Sequence, residues 1–191
     1  MSLVGFAVAG GGSSRMGRDK ALLPFEGIDL LGHALRRLAA VTGDVRILCG
    51  PEPRYGNRGR PLVTDLVRGD GPMGGVVAGL AAAAGGSGLF LAVDLPDVPV
   101  ALLGHLASLA PGWDAVVPSS ASGLEPLCAV YAPACLEPAR RLLAEGRKSV
   151  TGLVASVRAR VVPASEIERF GDPDRLFRNL NAPSDFDPSG A

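Results

Sequence analysis

The sequence predicts an α/β domain of three layers, α/β/α, built on a mostly parallel sheet. Short apolar runs of strand length alternate along it with longer segments whose apolar residues recur at helical spacing. That order lays parallel strands in one sheet with helices on both faces. The 191 residues suit one such domain, and a hydrophobic content of 47% supplies its core without staples. We read residues 1–186 as that single domain and 187–191 as a flexible tail.

Each element has its own signal. Residues 3–9 are β-compatible and stop at three glycines, as a buried parallel strand does. From Asp29 onward, Leu30, Leu31, Ala34, Leu35, Leu38 and Ala39 mark a helix, and residues 45–49 a second strand. Residues 51–61, rich in Pro, Gly and Arg, read as a surface loop. A short strand over 62–64, a Gly/Asp loop and a small-residue helix over 73–84 follow. Residues 89–93 form the clearest buried strand, ending at Asp94. Beyond it we expect a helix over 100–109, strands over 115–117 and 127–131, helices over 133–144 and 149–155, and a strand over 159–162.

Composition narrows the function. The formal net charge is zero with 20% charged residues, which speaks against nucleic acid as a partner. No stretch approaches a membrane span, and the opening residues lack the basic region of a signal peptide. Cys49, Cys128 and Cys135 are odd in number and lack C-x-x-C spacing, so we read them as reduced core residues and the protein as cytoplasmic.

The chemistry gathers in the loops after the strands, where open α/β sheets bind ligands. Ala9-Gly-Gly-Gly-Ser-Ser-Arg-Met-Gly-Arg-Asp-Lys20 follows the first strand. Its glycines let backbone N–H groups approach phosphate oxygens, and Arg15, Arg18 and Lys20 offset triphosphate charge. The spacing fits neither a P-loop, since Arg18-Asp19 follows Gly17, nor a dinucleotide fingerprint, which needs glycine at Arg15. Lys20 is one of two lysines, the other being Lys148. Asp65 and Gly71-Pro-Met-Gly-Gly75 stand before a helix; taken alone, they read better as a turn with a solvated acid. Asp94, in Val93-Asp-Leu-Pro-Asp97, is placed as a metal ligand would be, and Asp97 suits a helix cap better. Asn179 and Asn181 flank a leucine at period two and could face one side of an extended segment. His33 and His105 lie outside every motif and receive no chemistry.

The first loop resembles the L-A-G-G-x-S-S-R-M-G-x-D-K signature of the molybdenum cofactor guanylyltransferases, with Val8 in place of leucine. Further matches are G-P-L-x-G, with Met73 for leucine; D-x-P at Asp94; E-P-L at Glu125; Gly146-Arg-Lys-Ser149; and N-x-N-T-P-x-D, with Ala182 for threonine. They run in order from Val8 to Asp185.

The resemblance implies a Rossmann-like nucleotidyltransferase fold and transfer of GMP from GTP to the terminal phosphate of molybdopterin or Mo-molybdopterin, releasing pyrophosphate. It implies that Ala9, Gly10, Gly11, Gly12, Asp65 and Gly71 contact the nucleotide, that Arg15 and Lys20 bind the triphosphate, and that Asp94 holds Mg²⁺. Asn179 or Asn181 would complete the metal or acceptor site, and Arg147, Lys148 and Ser149 would suit the acceptor phosphate. Molybdoenzymes or other cofactor-biosynthesis proteins are the implied partners. Alternatives are a cytidylyltransferase for the same cofactor, a sugar-phosphate nucleotidyltransferase, and a non-catalytic nucleotide-binding module.

Overall fold

The computed structural model describes residues 2–10, 19–65 and 69–180. The chain runs β1 (Leu3–Val8), a 3₁₀ turn at Lys20–Leu22, β2 (Pro24–Phe25), β3 (Ile28–Asp29), α1 (Leu30–Ala39) and β4 (Asp44–Leu48). Then come β5 (Leu62–Val63), α2 (Gly71–Ala82), β6 (Ser87–Ala92), α3 (Val100–Leu109), β7 (Ala115–Ser120), β8 (Gly123–Leu124) and β9 (Cys128–Tyr131). The last elements are α4 (Leu136–Ala144), α5 (Val150–Ser156), β10 (Ala159–Val162), α6 (Ala164–Ile167) and α7 (Pro173–Leu176).

The main sheet has the order β10-β7-β9-β6-β1-β4-β5, with β8 folded onto β7. Every pairing along it is parallel except those of β9, which runs against both β6 and β7. The sheet is thus mostly parallel, as expected. Alternation along β1 sends Val4, Phe6 and Val8 into one core and Ala7, with Ala9 just beyond the strand, into the other. The first core lies under α2, α4 and α5, the second under α1, α3 and α6.

Local chemistry explains the boundaries. Asp29 begins α1 by accepting the Gly32 N–H at 2.8 Å, and Leu30, Leu31, Ala34 and Leu38 form the buried stripe of that helix. In α2, small residues allow close approach: a Cβ on Gly79 would come within 2.7 Å of the Phe90 ring, which itself stacks on Phe6 at 5.0 Å. All three cysteines are buried and unbridged, as the reading of core thiols requires.

The expected strands and helices recur with ends shifted by a few residues. The β2–β3 hairpin, β8, α6 and α7 have no signal in the apolar pattern, being two to four residues long. Residues 51–61 are more than a surface loop, because Tyr55 is buried. No described helix is long and apolar enough to cross a membrane. The expected tail, 187–191, lies outside the described residues.

Candidate active site

The parallel strands bring the ends of β1, β4, β5 and β6 to one edge of the sheet. There the chain after β1 presses against the chain after β4: a Cβ on Gly10 would lie 2.4 Å from the Gly50 nitrogen. Ala9 and Gly10 both donate their N–H groups to the Leu48 carbonyl, at 2.9 Å each. Gly10 is therefore dictated by backbone contact before any ligand is considered. Gly11, Gly12 and Arg15 lie outside the described residues.

The chain is described again at Asp19, whose Oδ1 accepts the Ala21 N–H at 3.1 Å and starts the Lys20–Leu22 turn. From that turn Lys20 Nζ reaches Asp94 Oδ2 at 3.0 Å, the side chains being 14% and 27% exposed. Residues 74 apart in sequence are thus brought together. Asp94 stands two residues beyond β6. Its backbone is tied on both sides: Val93 donates to the Val8 carbonyl at 3.2 Å, and the Asp94 carbonyl accepts the Leu180 N–H at 3.1 Å.

That last bond brings the C-terminal segment to the site. Asn179 is exposed beside buried Leu180, while Asn181 lies outside the described residues. Asp97 does something else. It lies 3.7 Å from Arg178 and near enough to half-buried Arg37 to favour that charge, while its Oδ2 is buried without a hydrogen-bond partner.

Glu125 is the acid whose position the sequence left unspecified. Half-buried, it accepts the Ser120 hydroxyl at 2.7 Å, and its N–H bonds the Pro118 carbonyl. Burial raises its pKa, the Ser120 bond opposes this, and the Asp94 charge raises it further. The reversed strand explains its place: β9 enters the sheet at the edge where its neighbours leave, so the residues before Cys128 arrive beside Asp94.

Asp65 follows β5, and its N–H bonds the Gly50 carbonyl at 3.0 Å. Its Oδ1 is buried without a hydrogen-bond partner, near the first turn of α2, and burial followed by the Asp70 charge raises its pKa. Gly71 opens α2 at φ 60°, a conformation that favours glycine. Lys148 reaches the same corner, donating to the Gly69 carbonyl at 2.7 Å and lying 3.5 Å from Asp70. Ser149 caps α5 through the Gly152 N–H, and Arg147 is exposed beside Glu145. His33 bonds the Phe25 carbonyl and His105 meets Glu166, neither of them among these groups.

The constellation is therefore a basic side chain, two acids and a carboxylate with one unsatisfied oxygen, all beyond the ends of the strands. A model of the MobA-like NTP transferase domain matches residues 5–161. The chain belongs to that family. It is 36% identical over 194 residues to a "probable molybdenum cofactor guanylyltransferase" of Opitutus terrae, covering 97% of this chain and 94% of that one. It is 30% identical over 193 residues to the molybdenum cofactor guanylyltransferase of Desulfosudis oleivorans, covering 100% and 95%. The fold is also that of a molybdopterin-guanine dinucleotide biosynthesis protein A from Archaeoglobus fulgidus, with a TM-score of 0.79, 24% identity and coverage of 96% and 94%. As a MobA-like NTP transferase the chain is a nucleotidyltransferase, and the α/β fold expected for that class is the one found.

Proposed function

We propose that this transferase moves GMP from GTP to the terminal phosphate of molybdopterin or Mo-molybdopterin, with Mg²⁺ as the cofactor. The observation that carries the reading is the Lys20–Asp94 pair. The names of the relatives support the choice of base and acceptor.

The donor set suits Mg²⁺. Asp94, with Glu125 beside it, offers hard carboxylate oxygens, and among the described residues no group of three or more His, Cys, Asp and Glu side chains gathers to cage a metal. A cation that takes one or two carboxylates and fills its remaining positions with phosphate oxygens and water needs no more. When bound, Mg²⁺ would polarise the α-phosphate and offset its charge.

The chain's own groups do the rest. Lys20 and Asp94 neutralise one another at 3.0 Å. On nucleotide binding, Lys20 exchanges its carboxylate for triphosphate oxygens, which frees Asp94, the residue that would hold the cation. An oxygen of the acceptor phosphate forms a bond to the α-phosphorus as the bond to the β-phosphate oxygen breaks. Lys20 and Arg15 receive the charge of the departing pyrophosphate. The attacking phosphate is already anionic near neutral pH, so the reaction asks for no protein base. Ala9, Gly10, Gly11, Gly12, Asp65 and Gly71 hold the nucleotide. Asn179 and Asn181 serve the metal or acceptor side, and Arg147, Lys148 and Ser149 the acceptor phosphate. The reaction takes place in the cytoplasm, and the product passes to molybdoenzymes or other proteins that handle the cofactor.

The test is pyrophosphate release with molybdopterin and each of the four nucleoside triphosphates. Release with GTP well above the others is expected. Preference for CTP would move the chain to cytidylyl transfer, and no release with any would refute the reading.

A further inference from the structure

We infer that the segment 51–61 is a clamp that fixes the reach of Lys20, with Tyr55 and Asp19 as positioning residues. The inference rests on the reading of Lys20 as the triphosphate ligand. Lys20 stands on a single 3₁₀ turn, Lys20–Leu22. One turn fixes several dihedral angles for very few hydrogen bonds and does not hold itself in place. Its aim must come from outside.

Ala21 anchors the turn in the core, and the polar support converges on Asp19. One oxygen accepts the Ala21 N–H at 3.1 Å; the other accepts the Tyr55 hydroxyl at 2.7 Å and Arg54 Nη1 at 3.1 Å. Arg54 also donates to the Cys49 carbonyl at 3.4 Å, which roots the assembly in the end of β4. Burial, with the Asp19 hydrogen bond and charge, raises the Tyr55 pKa, so the phenol remains a donor. Arg58 pairs with Asp29, the residue that caps α1. The segment therefore grips the stretch between residues 19 and 29 at both ends.

Two details suit a clamp better than a surface loop. Tyr55 lies in the left-handed region, at φ 71° and ψ 21°, where a side chain other than glycine is disfavoured; such a conformation persists only where its surroundings insist on it. Charge matters too. Asp19 adjoins Lys20 in sequence and would compete for its ammonium, but Arg54 occupies that carboxylate and Lys20 extends to Asp94 instead.

The test is a double-mutant cycle in the full chain, combining Tyr55→Phe with Lys20→Met. Tyr55→Phe keeps the ring and removes one hydrogen bond. It should lower kcat for pyrophosphate release about tenfold with KM little changed, a magnitude equal to one good hydrogen bond. In the Lys20→Met background the same change should cost less than about twofold. Equal losses in both backgrounds would overturn the clamp and leave Tyr55 a packing residue. The same cycle is run on ligand-free protein by urea denaturation, where the two substitutions should shift the midpoint by less together than the sum of their separate shifts. That arm does not depend on the substrate. If the parent chain releases no pyrophosphate, the proposed function fails, and the denaturation cycle alone decides the clamp: coupling retains it and additivity removes it. Asp19→Asn, which keeps an acceptor for the Ala21 N–H, replaces Tyr55→Phe if the latter does not fold and should give the same pattern.

Discussion

Asp94→Asn separates a catalytic carboxylate from a structural one. At 3.0 Å, the attraction between Lys20 and Asp94 is about 5.5 kcal/mol at an effective dielectric of 20. Most of it is offset, because both groups give up water to meet and both retain some exposure. Pairs of this kind contribute about 1 kcal/mol net. The amide keeps the shape and an acceptor for Lys20, so the melting point should fall by no more than about 2–4 °C for a chain of this size. Turnover should suffer far more. Losing the charge that balances a divalent cation at the reacting phosphate costs about 3–5 kcal/mol of transition-state stabilisation, or roughly 10²–10⁴ in rate. Binding of GTP without metal should hold or improve, since Lys20 no longer faces a competing carboxylate. The assay is pyrophosphate release across a Mg²⁺ titration, with the melting point measured on the same preparation. A variant that turns over at the parent rate would refute the assignment, as would one whose activity falls only in proportion to its folded fraction.

Other perturbations address neighbouring parts. Lys20→Ala should lower pyrophosphate release on the order of 10²-fold or more, while circular dichroism shows the fold retained, because the Asp19–Ala21 cap survives. Gly10→Ala places a methyl group against the Gly50 backbone rather than a movable side chain, and should reduce stability by about 1–3 kcal/mol in urea titrations. Asp65→Asn should raise the melting point of ligand-free protein at neutral pH while weakening GTP binding. The raised pKa of Asp65 means that its stabilising contribution is full below the unfolded value and is lost as pH rises through the folded one. The advantage of the amide should therefore vanish toward about pH 4, near the ordinary aspartate pKa, which melting curves over pH 4–8 would show.

Much of this was legible in the sequence because strand ends and glycine loops announce themselves. The buried run through Leu89 and Val93 ends at an acid, and a parallel sheet puts that acid at the ligand edge, next to whatever follows the neighbouring strand. Topology brings the loops of Lys20 and Asp94 to one edge, and the resemblance supplies the roles expected of them. The direction of β9 was not legible, since an apolar run reads the same either way, and with it went the approach of Glu125 to Asp94. The clamp was hidden for another reason. Tyr55 sits among Pro, Gly and Arg with no periodicity, and its burial depends on Asp19, 36 residues earlier. Short elements such as α7 are set by Asp172 and Pro173 at their start rather than by an apolar stripe. The glycine of Gly10 was read as making room for phosphate, whereas the fold itself already requires it.

The pairing of β1 with β6, from Leu3 with Ser87 to Val8 with Ala92, also imposes an order on synthesis. The glycine loop, the Lys20 turn and the clamp all leave the ribosome before β6 and the Asp94 that follows it. At about 5–20 residues per second, roughly 4–17 s separate β1 from β6. During that interval β1 can pair with β4, but its other side stays open, and Lys20 lacks the carboxylate that neutralises it in the finished protein. A nascent chain of this kind therefore shows an unpaired apolar strand edge until the second half of the domain arrives.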